Sequence, residues 1–405
     1  MSVAPGKPSV PAVSPSARLR WLDALRGIGA AAVVGEHLLP WVVPWLRPYW
    51  FNLGIYGVLV FFLVSGYIIP ASLERHGDVR AFWISRAFRL YPLYLLVIGM
   101  VLAMAWYLPV RDAVPRDPAA AVAHATMLLD VVGVGGVADT MWTLSYEMVF
   151  YLMVTALFVT GAHRRSATSA LLFGVAAVVV AALVPAAMLR GAWLAWVSGG
   201  VFAAGLACVV SGRFRRTGAC ALGVMALVLL LLGSRVPWLG VLILAVMFAG
   251  TAVHRWERGA GPFWPIALTL ALVAVTPLPA LQSGWWWSAP RVWITTVALA
   301  CVTFAAAFAL RHRRVPGWLT WLGLVSYSLY LLHHPLLRLY VSLTGDLRWS
   351  AWQVQLLMAA LFVALILLAA WVTHRLVELP AQRLGHRLAR PAIPAGRRRS
   401  ASPAA

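Results

Sequence analysis

About twelve runs of apolar residues, each long enough to form a membrane helix, follow one another along this chain with short loops between them. In a bilayer every backbone N–H and C=O must be satisfied within the protein, so such runs fold as helices or as a closed barrel. A barrel needs short strands of alternating polarity, and these runs do not alternate. The expectation is an all-α, polytopic membrane bundle of about 10–12 transmembrane helices. The runs lie near 22–42, 53–73, 90–108, 142–161, 168–189, 192–211, 217–233, 236–253, 263–280, 292–310, 318–340 and 353–374. A composition 62% hydrophobic and only 11% charged excludes a soluble globular domain.

The net charge of +21 is carried almost wholly by arginine, since Lys7 is the one lysine. With the N-terminus inside, 25 basic residues fall on one side of the membrane and 8 on the other. The positive-inside rule then predicts that both termini are cytoplasmic. The same distribution explains the charge without a nucleic-acid partner. Residues 1–17, rich in Pro, Ser, Ala and Val, read as a disordered segment. They are not a signal peptide, because the first apolar run carries Asp23, Arg26, Glu36 and His37. The membrane domain is expected over 18–380 and a basic, disordered cytoplasmic tail over 381–405, so all chemistry is expected within the membrane domain. Cys208, Cys220 and Cys301 have neither metal spacing nor an even count, and no metal or tightly bound cofactor is expected.

Ionisable groups are costly in hydrocarbon, which makes those of the first run candidates for function. Arg26 and His37 are eleven residues apart, three helical turns, and so project from one face roughly 16 Å apart. Asp23 shares that face with Arg26. A neutral imidazole can take a proton from a hydroxyl, which makes His37 a general-base candidate; the plainer reading is a histidine packed against a neighbouring helix. Glu36 points about 100° away from His37 and serves another partner, with an arginine the obvious choice. Arg86 and Arg89, read as lying at the mouth of the third run, share a face and form a compact anion site, or simply mark topology. Ser65-Gly66 in the second run lines a groove or permits close helix packing. Trp142 fits an aromatic belt, and Glu147, deeper in the same run, needs a partner or a proton. Ser326, Tyr330 and His333 recur at i, i+4 and i+7 as one polar stripe. Glu378-Leu379-Pro380 reads as a helix end before proline. The connection 109–141 has an apolar centre that suits a re-entrant or lid segment. The runs from 168 to 310 have no acid or base in their interiors and read as scaffold.

Five pieces in order resemble the acyltransferase family 3 of integral membrane O-acyltransferases, which includes O-antigen and peptidoglycan O-acetyltransferases and macrolide O-acyltransferases. They are Leu22-Asp23-Ala24-Leu25-Arg26-Gly27-Ile28 with His37 downstream, Gly57-Val58 to Ser65-Gly66-Tyr67, Arg86 and Arg89 followed by Pro92 and Tyr94, Trp142 to Glu147 and Phe150-Tyr151, and Ser326-Tyr327-Ser328-Leu329-Tyr330-Leu331 with His333. The resemblance spans residues 18–380. It implies transfer of an acyl group, acetyl by preference, from acyl-CoA to a hydroxyl of a sugar-containing acceptor, either a cell-surface glycan or a macrolide-type metabolite. By that analogy His37 is the base, Arg26 is essential beside it with Glu147 in the catalytic group, and Arg86, Arg89 and Ser65 bind acyl-CoA (acetyl-CoA). Asp23, Glu36, Trp142, Tyr330 and His333 are supporting residues. The chain departs from the family in having Leu59 where an acid often follows Gly-Val, Glu36 before the histidine, and twelve runs rather than about ten. The rival readings are a secondary transporter and a glycan or lipid exporter. Both suit twelve spans, but no internal repeat is visible and polar residues are concentrated in a few runs.

Overall fold

The computed structural model describes residues 19–107, 117–279, 281 and 284–389. The segments expected to be disordered at 1–17 and from 390 onward lie outside the described residues, as does 108–116 of the long connection. Among the described residues the regular structure is entirely helical. The helices are α1 (Arg20–Val42), α2 (Leu53–His76), α3 (Val79–Tyr107), α4 (Pro118–Thr126), α5 (Trp142–Thr160), α6 (Ser166–Leu183), α7 (Ala192–Ser211) and α8 (Arg215–Val228). They continue as α9 (Pro237–Glu257), α10 (Trp264–Val275), α11 (Pro290–Ala309), α12 (Gly317–Leu324), α13 (Ser326–Thr344), α14 (Trp352–Thr373) and α15 (Leu379–Ala389).

Nine helices among the described residues are long and apolar enough to cross a membrane. The helices α1 and α13, of 23 and 19 residues, have the length but are diluted by polar side chains. Those polar side chains include the candidate residues Arg26, His37, Tyr330 and His333. By contrast α9 is buried on every side along almost its whole length, which explains why its sequence is apolar all round. It lies between α2 and α6, while α1 packs against α2, α12 and α13.

Glycine decides how closely the central helices approach. A Cβ on Gly66 would run into the Met247 carbonyl of α9, and one on Gly323 into the Asp23 carbonyl of α1. These backbones touch directly, with no side chain between them. The pairing draws α1, α2 and α12 around a common interior.

The structure departs from the sequence reading in four places. The third run starts at Val79, eleven residues before its apolar stretch, because Phe82, Trp83 and Leu90 bury themselves against neighbouring helices. Arg86 and Arg89 therefore lie within the helix and not at its mouth. The run 318–340 is broken at Val325, where the Ser326 hydroxyl bonds back to the Gly323 carbonyl at 2.9 Å and competes with the helical ladder. Glu378 does not end a helix. A π-turn over His374–Glu378, whose wider ladder accommodates the missing N–H of Pro380, runs into α15. Residues 381–389, expected in the tail, are thus helical, and Gly385 packs on Phe88 of α3. The described part of the long connection folds inward, as its apolar centre suggested. Asp117 caps α4 through the Ala120 N–H at 2.9 Å, and Leu128, Leu129 and Val131 are fully buried.

Candidate active site

The sequence-selected residues separate into two groups stacked along α1. The first surrounds a cavity of about 70 Å³ inside the bundle. Arg26 of α1, Ser65 of α2, Arg89 of α3, Glu147 of α5 and Tyr330 of α13 all line it. Phe61, Phe62 and Val58 form its apolar wall. The Glu147 carboxylate accepts a hydrogen bond from the Tyr151 hydroxyl one turn along the same helix. Neither Arg26 nor Arg89 makes a hydrogen bond or salt bridge with a described residue. Arg26 interacts electrostatically with Asp23, Glu147 and Glu378, and is repelled by Arg89. Two guanidiniums thus face one cavity with a carboxylate on its wall, and they retain donors for an incoming acceptor oxygen. Asp23, buried at 8% exposure, stays on α1 beneath Arg26 and does not line the cavity.

The second group lies toward the C-terminal end of α1. His37 and His333 meet there, with His333 Nε2 3.2 Å from His37 Nδ1. Each imidazole also contacts its own helix, His37 Nδ1 to the Val33 carbonyl at 2.9 Å and His333 Nδ1 to the Leu329 carbonyl at 3.1 Å. These contacts set the tautomers. A carbonyl can only accept, so His333 carries its proton on Nδ1 and presents Nε2 as a lone pair. The Nδ1–H of His37 is then shared between Val33 and His333, and His37 Nε2 is left as a free base. His334 sits edge-on to His37, ring centroids 5.1 Å apart, and its Nε2 lies 3.4 Å from Asp139.

Tyr330 links the groups. It lines the cavity, its ring lies 6.0 Å from that of His333, and its hydroxyl contacts the Thr140 carbonyl at 3.0 Å and the Thr143 hydroxyl at 2.7 Å. His37 is not part of the cavity lining, so Arg26 and His37 share a side of α1 without sharing a space.

Arg86 parts from Arg89. It is 8% exposed, sits over the rings of Phe82 and Tyr151, and its Nε has no hydrogen-bond partner. It lines a larger cavity of about 630 Å³ at the end of the bundle where α2 finishes and α3 begins, with His76, Ser85 and His386 of α15. Glu36 takes the arginine partner expected of it. It pairs with Arg47 at 2.8 Å and accepts from the Leu53 and Gly54 N–H groups at the start of α2. This fastens the α1–α2 loop, and a carboxylate at a helix N-terminus suits the local dipole. Trp142 lies outside the cavity and packs edge-on against Tyr146 at 5.8 Å.

The family model described as an acyltransferase domain, that of acyltransferase family 3, matches residues 19–375. This chain belongs to that family. Its described residues include nine helices long and apolar enough to cross a membrane, as an integral membrane member of that family requires. The peptidoglycan O-acetyltransferase OatA of Listeria monocytogenes is 27% identical over 149 residues, covering 33% of this chain and 23% of that protein. A putative peptidoglycan O-acetyltransferase of Bacillus subtilis, YrhL, is 26% identical over 159 residues, covering 35% and 24%. A putative O-acetyltransferase of Staphylococcus aureus is 32% identical over 105 residues, covering 24% and 16%. The chain spans about a quarter or less of the length of these relatives. No solved structure matches it.

Several residues of the acyltransferase were not singled out from sequence. His334 is one, and its pairing with Asp139 brings in a loop nearly two hundred residues earlier. Thr143, one turn before Glu147, is another, and it lines the cavity and meets the Tyr330 hydroxyl. Glu378 is buried at 3% exposure, accepts from Ser328 and lies 3.3 Å from His374. A buried acid beside a proline was the available signal, and the helix-end reading obscured it.

Proposed function

We propose that this acyltransferase moves an acyl group, acetyl by preference, from acyl-CoA to a hydroxyl of a sugar-containing acceptor, with His37 as general base. The observation that carries the reading is the pair of contacts at His37 Nδ1, to the Val33 carbonyl and to His333 Nε2. The Nδ1–H is held by Val33 and His333, which leaves the Nε2 lone pair to act as the base. The relatives named as O-acetyltransferases support a hydroxyl acceptor and an acetyl donor.

In this reading the arginine-rich loops face the cytoplasm, which places the cavity holding Arg86, His76 and His386 where CoA phosphates arrive. Arg86 meets the anionic end of the donor. Arg89, Arg26 and Ser65, further in, hold the thioester end by hydrogen bonds to its carbonyl and amide oxygens. Glu147, fixed by Tyr151, keeps the two guanidiniums from repelling each other out of position. The acceptor hydroxyl approaches His37 from the opposite side. Nε2 takes its proton as the oxygen attacks the thioester carbon, and the imidazolium is stabilised through its Nδ1–H. The C–S bond then breaks, and the CoA thiolate leaves with the proton returned by His37. Phe61 and Tyr330 stand between the cavity and His37, so transfer requires Phe61, which has no polar anchor, to move aside and let the acceptor oxygen reach the thioester.

The test is CoA release by purified protein from acetyl-CoA with sugar and macrolide hydroxyl acceptors, wild type against His37→Ala. Acceptor-dependent release that vanishes in the variant is expected. Release that survives the substitution would remove His37 from the chemistry.

A further inference from the structure

The cavity and His37 are separated by two aromatic side chains, and one of them is held far less firmly than the other. Tyr330 is tied by its hydroxyl to Thr140 and Thr143. Phe61 makes no polar contact. Its ring lies against Gly29, one turn above Arg26 toward His37, and edge-on to Tyr330 with centroids 5.9 Å apart. A side chain on Gly29 would press on that ring, at 3.1 Å from its Cδ2. The absence of one leaves room for the Phe61 ring where it lines the cavity.

The cavity is small. At about 70 Å³ it has room for about five water-sized positions. The carbonyl, methyl and sulfur of an acetyl thioester fill such a space, with the carbonyl toward the arginines and the methyl against Phe61 and Val58. Methylenes added at the methyl end run into Phe61 and Val58 and must displace that part of the wall. Leu144 and Tyr330 are backed by buried neighbours, whereas Phe61 is half-buried and free of polar anchors.

We infer that Phe61 sets the acyl length the enzyme accepts, admitting acetyl and shorter-branched neighbours of its size and rejecting straight chains of hexanoyl length. This rests on the acyl-CoA reading above. Phe61 acts by touching the acyl group, and its truncation enlarges the cavity without removing a hydrogen bond.

The experiment measures kcat/KM for acetyl-, butyryl-, hexanoyl- and octanoyl-CoA in wild type, Phe61→Leu and Phe61→Ala. Pocket discrimination of this kind is worth about 10- to 200-fold. Wild type is expected to favour acetyl- over hexanoyl-CoA by about 100-fold, and Phe61→Ala to shrink that ratio by about tenfold or more. Phe61→Leu should fall between. A gain in hexanoyl transfer cannot come from partial unfolding. Equal use of acetyl- and hexanoyl-CoA by wild type, or an unchanged ratio in both variants, overturns the inference and leaves acyl transfer standing. No CoA release from any donor, in folded protein, overturns the acyl-CoA reading and this inference with it.

Discussion

Replacing His333 by leucine tests the base more sharply than replacing His37 itself. His333 is 1% exposed and its Nε2 lies 3.2 Å from His37 Nδ1, so its polar service to another helix is to accept the His37 proton. Leucine fills the buried space and leaves the Leu329 carbonyl with its helical partner. The Val33 carbonyl still holds the Nδ1–H of His37 at 2.9 Å. What is lost is the second acceptor, which matters most when His37 becomes positively charged during proton transfer. Hydrogen bonds to charged groups are worth about 1.5–3 kcal/mol, and the remaining Val33 contact argues for the lower end. That corresponds to a fall in kcat of about tenfold. Because the contact strengthens only in the transition state, the donor KM should hardly change. His333→Gln places an amide oxygen near the same point and should recover most of the rate. The assay is CoA release over a range of acetyl-CoA concentrations for both variants. A kcat within about twofold of wild type in the leucine variant would refute the tautomer argument. So would a glutamine variant as damaged as leucine, which would make His333 a packing residue.

Two further outcomes follow from the geometry. Arg89→Ala should raise the acyl-CoA KM by about tenfold or more while protein yield is kept, since a charge-assisted contact is lost; an unchanged KM in steady-state kinetics removes Arg89 from donor binding. Gly323→Ala drives a methyl group into the Asp23 carbonyl and should destabilise the protein by about 1–3 kcal/mol, read as a lowered unfolding temperature. A variant as stable as wild type would show that α1 and α12 part without cost.

Much of this molecule could be read from one dimension. Apolar runs of helical length, with arginine between them, dictate a helical membrane bundle because hydrocarbon leaves the backbone no other way to satisfy itself. All twelve expected runs are found as helical segments, the run 318–340 divided at Val325. The choice of Arg26, Glu147, Arg89, Ser65 and Tyr330 was legible for the complementary reason. A polar side chain in an apolar run is expensive, and each of these five lines the same cavity.

Tertiary structure alone decided how those residues group. Helical spacing put Arg26 and His37 on one face and Arg86 beside Arg89, but periodicity says nothing about what neighbouring helices insert between them. Phe61 and Tyr330 come in from α2 and α13 to divide the first pair, and the rings of Phe82 and Tyr151 hold Arg86 away from the Arg89 cavity. His334 and Asp139 meet only because α13 packs beside the turn that precedes α5. The polarity of each helix is local chemistry, written residue by residue. The spaces between helices belong to backbones brought into contact at Gly66 and Gly323, and they exist only once the bundle has closed.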